Sequence, residues 1–215
     1  MDDDAFDRAL IGAAFALAAE QGWPRMTVAA AARAAGLDLA RARLRFPGKA
    51  AVLLKFGRMA DQAVLASAPA EGTVRDRLFD MIMRRLDVLQ AHRAGVAALM
   101  RALPCDPPMA ALLACATRRS LRWLLQVAEV DTAGLRGELK LRGLVAVWLW
   151  TLRAWDRDTS ADLSATMAAL DVALRRAEQA AQWLHGVRPV APEPEPEPAA
   201  EEPPAADTES SPEKA

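Results

Sequence analysis

Along the first 186 positions, apolar residues recur every three or four places, the spacing that lines one face of an α-helix. Phe6, Leu10, Phe15 and Leu17, set among alanines, predict a first helix ending near Gln21-Gly22, where glycine supplies the stop. Thr27 reads as the N-cap of a short second helix, Val28 to Ala35, because its hydroxyl can accept from the free amides of the first turn; Gly36 ends it. Asp38 caps a third helix running to about Phe46, and Pro47-Gly48 breaks it. A fourth carries Val52, Leu53, Phe56 and Met59.

The second half continues the pattern. Thr73-Val74-Arg75-Asp76 reads as a capping box with Asp in place of Glu, opening a helix that bears Leu78, Phe79, Ile82, Leu86 and Leu89. The prolines at 104, 107 and 108 interrupt the next helix. A helix follows from about Met109 to Val130, and another starts at Asp131 or Thr132 and carries Leu139, Leu144, Val147, Trp148, Leu152 and Trp155. The last one sets Leu163, Met167, Leu170, Leu174, Ala177, Ala181 and Leu184 at alternating spacings of four and three, a sustained seam of the kind that joins helices.

Composition agrees with this reading. The chain is 53% hydrophobic, with many alanines, few aromatics and no tyrosine, which disfavours sheets. The expected architecture is all-α: an N-terminal helix-turn-helix head of three helices (1–58), a larger helical-bundle body (59–186) and a disordered C-terminal tail (187–215). The tail holds 8 of the 14 prolines and eight acids against two cations, and has no apolar face with which to offset its ordering entropy. The uncharged run Gly143 to Leu152 has only 10 residues, against the ~20 of a membrane-spanning helix, and the acidic start is unlike a signal peptide. A cytoplasmic protein without a membrane span is expected, with Cys105 and Cys115 as buried thiols.

Charge is unevenly spread. Residues 21–60 hold eight cations against Asp38 alone, an electrostatic footprint for a polyanion. They fall on two short helices joined by a glycine turn, a helix-turn-helix whose second member can enter the DNA major groove. Arg41 and Arg45, one turn apart, share a face that could address phosphates or a guanine edge, and Lys49 opens the next helix where a phosphate could sit.

In this segment the chain resembles the TetR family of bacterial regulators, through Thr27-Val28-Ala29, Ala34-Ala35-Gly36-Leu37, Phe46-Pro47-x-Lys49 and the apolar Val52 and Leu53, after a helix ending in Gln21-Gly22-Trp23. The resemblance covers about the first 60 residues. It implies a homodimeric, all-helical repressor that binds a palindromic operator in double-stranded DNA and is released by an apolar small-molecule or lipid effector. It places the recognition helix at 38–45 and DNA contacts at Thr27, Arg33, Leu39, Arg41, Arg43, Arg45 and Lys49. The chain departs from the family pattern at three positions: Asp38 stands where a serine or threonine is usual, Leu39 where a small polar or basic residue is usual, and Arg43 where a phosphate-contacting tyrosine is usual. Leu39 offers a base only an apolar contact, such as with a thymine methyl, whereas Arg43 can make a stronger, charge-assisted phosphate contact.

A second resemblance is to lipid-binding accessory proteins of ubiquinone biosynthesis on the same fold, through Gly22-Trp23, Phe46-Pro47-Gly48 and Trp155-Asp156-x-Asp158-x-Ser160-x-Asp162. The chain lacks their aromatic and basic motif before the penultimate helix and has an acidic tail in place of their terminal helix, so this reading ranks second.

For a ligand, Met83, Leu99, Met100, Trp123 and Trp148 are large apolar candidates on helices that should pack together. For dimerisation, the seam through Leu163, Met167, Leu170 and Leu174 is the candidate. Asp156 to Asp162 begins like a calcium loop but has Ala161 and Met167 where glycine and glutamate are required, so these residues read as helix caps. His92 and His185 have no ligand-spaced neighbours. No metal, cofactor or enzymatic activity is expected.

Overall fold

A computed structural model of the chain describes residues 1–66 and 71–186. Those residues form nine α-helices and one short 3-10 turn, with no strand among them. In chain order the helices are α1 (Asp3–Gln21), α2 (Val28–Ala34), α3 (Leu39–Arg45), α4 (Lys49–Leu65), α5 (Val74–Gln90), α6 (Arg93–Ala102), α7 (Pro107–Val127), α8 (Gly134–Arg157) and α9 (Ser164–Gly186). The expectation for the tail lies outside the described residues.

Most helix ends sit where local chemistry puts them. Thr27, Asp38 and Asp106 cap α2, α3 and α7 by accepting from the amides of Ala30, Arg41 and Met109. Thr73 and Asp76 complete a reciprocal capping box on α5. Leu163 has a left-handed φ of 56° and precedes α9 rather than belonging to it. α7 starts two residues before the sequence expectation, because Pro107 and Pro108 fall in its first turn, where a missing N–H costs nothing.

One apolar core runs from Phe6 on α1 to Leu174 on α9, and α4 passes through the head–body boundary without a break. The head meets the body where α1 crosses α6. There a Cβ built on Gly95 would lie 2.3 Å from the carbonyl oxygen of Phe15, so glycine is what allows this approach. His92 stacks on Phe15 at 5.5 Å and meets Phe56 edge-on at 5.6 Å; its burial holds its imidazole below the ordinary histidine value.

On either side of His92, Arg93 donates to the carbonyls of Trp155 and Asp158, and Gln90 accepts from the Trp155 indole. The buried Asp158 carboxylate accepts from the Ser160 hydroxyl and from the hydroxyl and amide of Thr166, which hold it far below the usual carboxylate range. The residues that begin like a calcium loop therefore tie α8 to α9.

Two expectations need correction. Leu163, Leu170 and Leu174 are buried inside the chain, where α9 packs on α8 and α5, and Met167 is half-buried beside them, so the seam is spent on the fold. Cys105 and Cys115 are exposed, one in the turn before α7 and the other on α7 itself. No single helix among the described residues is long and apolar enough to cross a membrane; α6 and α7 pass such a test only together, and they meet at 120°.

Candidate nucleic-acid interface

α2 and α3 pack at the Gly36 turn, whose φ of 65° suits glycine, and α3 presents Leu39, Ala40, Arg43 and Leu44 to solvent. Leu44 is 84% exposed, far from what a purely structural leucine requires. Between α2 and α3 lies a shallow depression of about 340 Å³, lined by Thr27, Val28, Leu39, Arg43, Phe46 and Lys49. Arg33 is exposed on α2. Arg43 is exposed on α3, with Nη1 donating to the carbonyl of Pro47 at 2.9 Å.

Arg41 and Arg45 lie on the other side of α3, against α1. Arg41 pairs with Asp3 at 2.6 Å and stacks 4.5 Å from the ring centre of Phe6. Arg45 reaches Asp3 at 2.6 Å and grips Asp7 with two nitrogens at 2.7 and 2.9 Å, while Lys55 completes Asp7 at 2.5 Å. Lys49 is also occupied, donating to the carbonyls of Trp23 at 3.1 Å and Pro24 at 2.7 Å. The structure thus brings Thr27, Leu39, Arg43 and Lys49 together around one depression, leaves Arg33 exposed, and turns Arg41 and Arg45 inward. The first twenty residues carry five acids and only Arg8 as a cation, so the excess over residues 1–60 falls to nine cations against six acids.

Burial alone would raise the Asp7 carboxyl, but hydrogen bonds from Arg45 and Lys55 outweigh it and hold the carboxyl below the ordinary value of 3.8. Asp3 is lowered by its bonds to Arg41 and then Arg45. A carboxyl that titrates lower in the folded chain stabilises it fully above the ordinary value and loses that contribution as pH falls through the folded one. Asp7→Asn should therefore lower the thermal midpoint at neutral pH by about 5 °C and flatten the acid limb of the pH–stability curve, as read by circular dichroism. An unchanged midpoint would show that the α1–α3 network is ornamental.

The body contains a cavity of about 940 Å³ between α4, α5, α6, α7 and α8. Leu99, Met100, Trp123 and Trp148 line it as the sequence suggested, whereas Met83 packs against the core away from it. Arg85 also lines it and was not anticipated. The signal was available: Leu78, Ile82, Arg85 and Leu89 follow helical spacing, so an arginine occupies an apolar place in the α5 stripe. Among the described residues, no group of three or more potential metal ligands is present.

No family model matches the chain, and no curated protein does. Solved structures do. The chain is similar to a TetR transcriptional regulator from Nitrosomonas europaea, with 23% identity and a TM-score of 0.67 over 82% of this chain and 99% of that one. It is similar to a TetR-family transcriptional regulator from Streptomyces coelicolor, with 21% identity and a TM-score of 0.58 over 88% and 92%. A third, a TetR transcriptional regulator from Rhodococcus sp. RHA1, shares 17% identity at a TM-score of 0.55 over 83% and 97%. At these identities the likeness is one of fold: the chain has the all-helical architecture of TetR regulators.

Proposed function

We propose that this chain, which carries the fold of the TetR transcriptional regulators, is a non-enzymatic, homodimeric DNA-binding regulator that represses transcription until an effector fills the body cavity. The observation that carries the reading is the outward face of α3, where Leu39, Arg43 and Leu44 stand exposed on a capped helix held from behind by two arginines. Leu39 and Leu44 suit the methyl groups of thymines in the major groove, and Arg43 suits a phosphate or a guanine edge. Arg33 and the hydroxyl of Thr27 supply further phosphate contacts. Arg41 and Arg45 act by positioning: they fix the angle of α3 on α1. The neighbours described above are regulators, and the lipid-carrier reading is set aside.

The dimer forms through α8. Its outer face carries Leu135, Leu139, Ala146 and Trp150, all exposed, and Leu149 and, on α7, Trp123, which also line the cavity, are exposed as well. Such a row of large apolar side chains marks an association surface. Two copies joined there would carry two recognition helices at a fixed separation.

The test separates readers from supports. Arg43→Ala should weaken binding to DNA and flatten the slope of log affinity against log salt by ~0.9, with the thermal midpoint unchanged. Arg45→Ala should lower both the midpoint and the affinity. Asp38→Ser keeps a good cap on α3 but removes a carboxylate from the DNA-facing end, so it should tighten binding. An Arg43→Ala protein that binds DNA with the original salt slope would remove this face from the interface.

A further inference from the structure

The body cavity has one buried polar cluster, where Arg85 of α5, Asp61 of α4 and Ser120 of α7 meet. Arg85 is only 6% exposed. Its Nη1 serves both partners, donating to the Asp61 carboxylate and, at 2.6 Å, to the Ser120 hydroxyl, which in turn donates to Asp61 at 2.5 Å. Its Nε is buried with no hydrogen-bond partner. The indole of Trp148 lies 5.3 Å from the guanidinium carbon, so an apolar ring covers the charge. A guanidinium offers five donors in a planar fork, and one that is nine-tenths buried with an edge unmatched is incomplete without an acceptor.

The rest of the wall says what kind of acceptor fits. Arg58, Arg118 and Arg119 also line the cavity, whereas Asp61 is the only carboxylate among its lining residues. Glu138 neutralises Arg118 from outside the wall. Arg58 and Arg119 are exposed and keep the wall net positive, which favours an anion and opposes an amine. The remaining surface is mainly apolar, chiefly leucine with Phe56, Met100, Trp123 and Trp148, and its uncharged polar side chains besides Ser120 are Cys115 and Thr117. Lining residues run along α7 from Ala110 to Trp123, a span of ~20 Å at the helical rise, which suits an extended chain better than a compact solute.

We infer that the cavity takes an amphiphile with a single anionic head, a carboxylate on a linear hydrocarbon tail, the head on the Nε edge of Arg85 and the tail along α7 toward Leu113 and Leu103. Asp61 keeps its bond to Nη1, since a guanidinium can serve a carboxylate on each of two edges. The inference rests on the reading of the body as an effector chamber, and names the chemistry of the effector.

Titrations of the full chain without DNA, followed by tryptophan fluorescence, test it directly because Trp123 and Trp148 line the cavity. Dodecanoate, dodecanol and dodecylammonium, each below its micellar concentration, share a tail and differ in the head. Dodecanoate should bind about tenfold tighter than dodecanol, and dodecylammonium weakest. Equal binding of dodecanoate and dodecanol, or tighter binding of dodecylammonium, overturns the anionic head. The double variant Arg85→Gln/Asp61→Asn, which leaves no unpaired charge, should lose the preference for dodecanoate over dodecanol. If that variant does not fold, Arg85→Lys keeps the charge without the fork and should reduce the preference by most of that factor. An undiminished preference in whichever variant folds overturns the role of Arg85. DNA binding is measured separately: a chain that prefers dodecanoate but ignores DNA refutes the regulator alone, and a chain that binds DNA but not dodecanoate refutes the ligand alone.

Discussion

Replacing Leu170 with glutamate is expected to unfold the chain, with a stability loss of more than ~4 kcal/mol. Leu170 has no exposed surface and sits between α9 and the α8 and α5 helices, so the new carboxylate would have neither water nor a cation to meet it. Denaturant melts followed by circular dichroism would report the loss. The paired variant is Trp150→Glu. Trp150 is 54% exposed on the outer face of α8, and a charge there has water available, so the fold should survive. Sedimentation should instead find Trp150→Glu as a folded monomer while the unmodified chain sediments as a dimer. A folded, monomeric Leu170→Glu protein would return the dimer contact to α9, and a dimeric Trp150→Glu protein would move it off α8.

Gly95→Ala is expected to cost about 3 kcal/mol and to loosen the head from the body. The added carbon would lie 2.3 Å from the Phe15 carbonyl oxygen and 2.8 Å from its carbonyl carbon, and both are backbone atoms that no rotamer change can move. Relief requires α6 to withdraw from α1, which also opens the stack of Phe15, His92 and Phe56. That junction is the direct packing between the recognition head and α6, a wall of the cavity. Hydrogen exchange should rise in both α1 and α6. A variant with unchanged stability and exchange would mean that the helices separate freely and that the contact transmits nothing.

How far the chain could be read in advance follows from how local each signal is. Thr27, Asp38 and the Thr73–Asp76 box announce helix starts because a cap acts within three residues. The helix-turn-helix was legible for the same reason. The partners of Arg41 and Arg45 were not, since Asp3 and Asp7 lie some forty residues earlier and only the packing of α3 on α1 brings them near. Spacing of four and three shows that Leu163 to Leu174 bury a stripe, but it is the same whether the stripe meets this chain or another. Four of the five residues that the sequence offers for a ligand line the cavity, because large apolar side chains gather between helices. Arg85 is one charge among many on α5, and only its place in the apolar stripe sets it apart.

Selection from a pool of random DNA duplexes by the full-length protein, at moderate salt and with the recovered sequences read, decides whether this chain reads DNA sequence. The expected result is enrichment of a two-fold symmetric site, with half-sites about one helical turn apart, ~34–36 Å or a multiple, and thymines facing the exposed leucines of α3. A recovered pool as random as the starting one, from protein shown to be folded and dimeric, would contradict it.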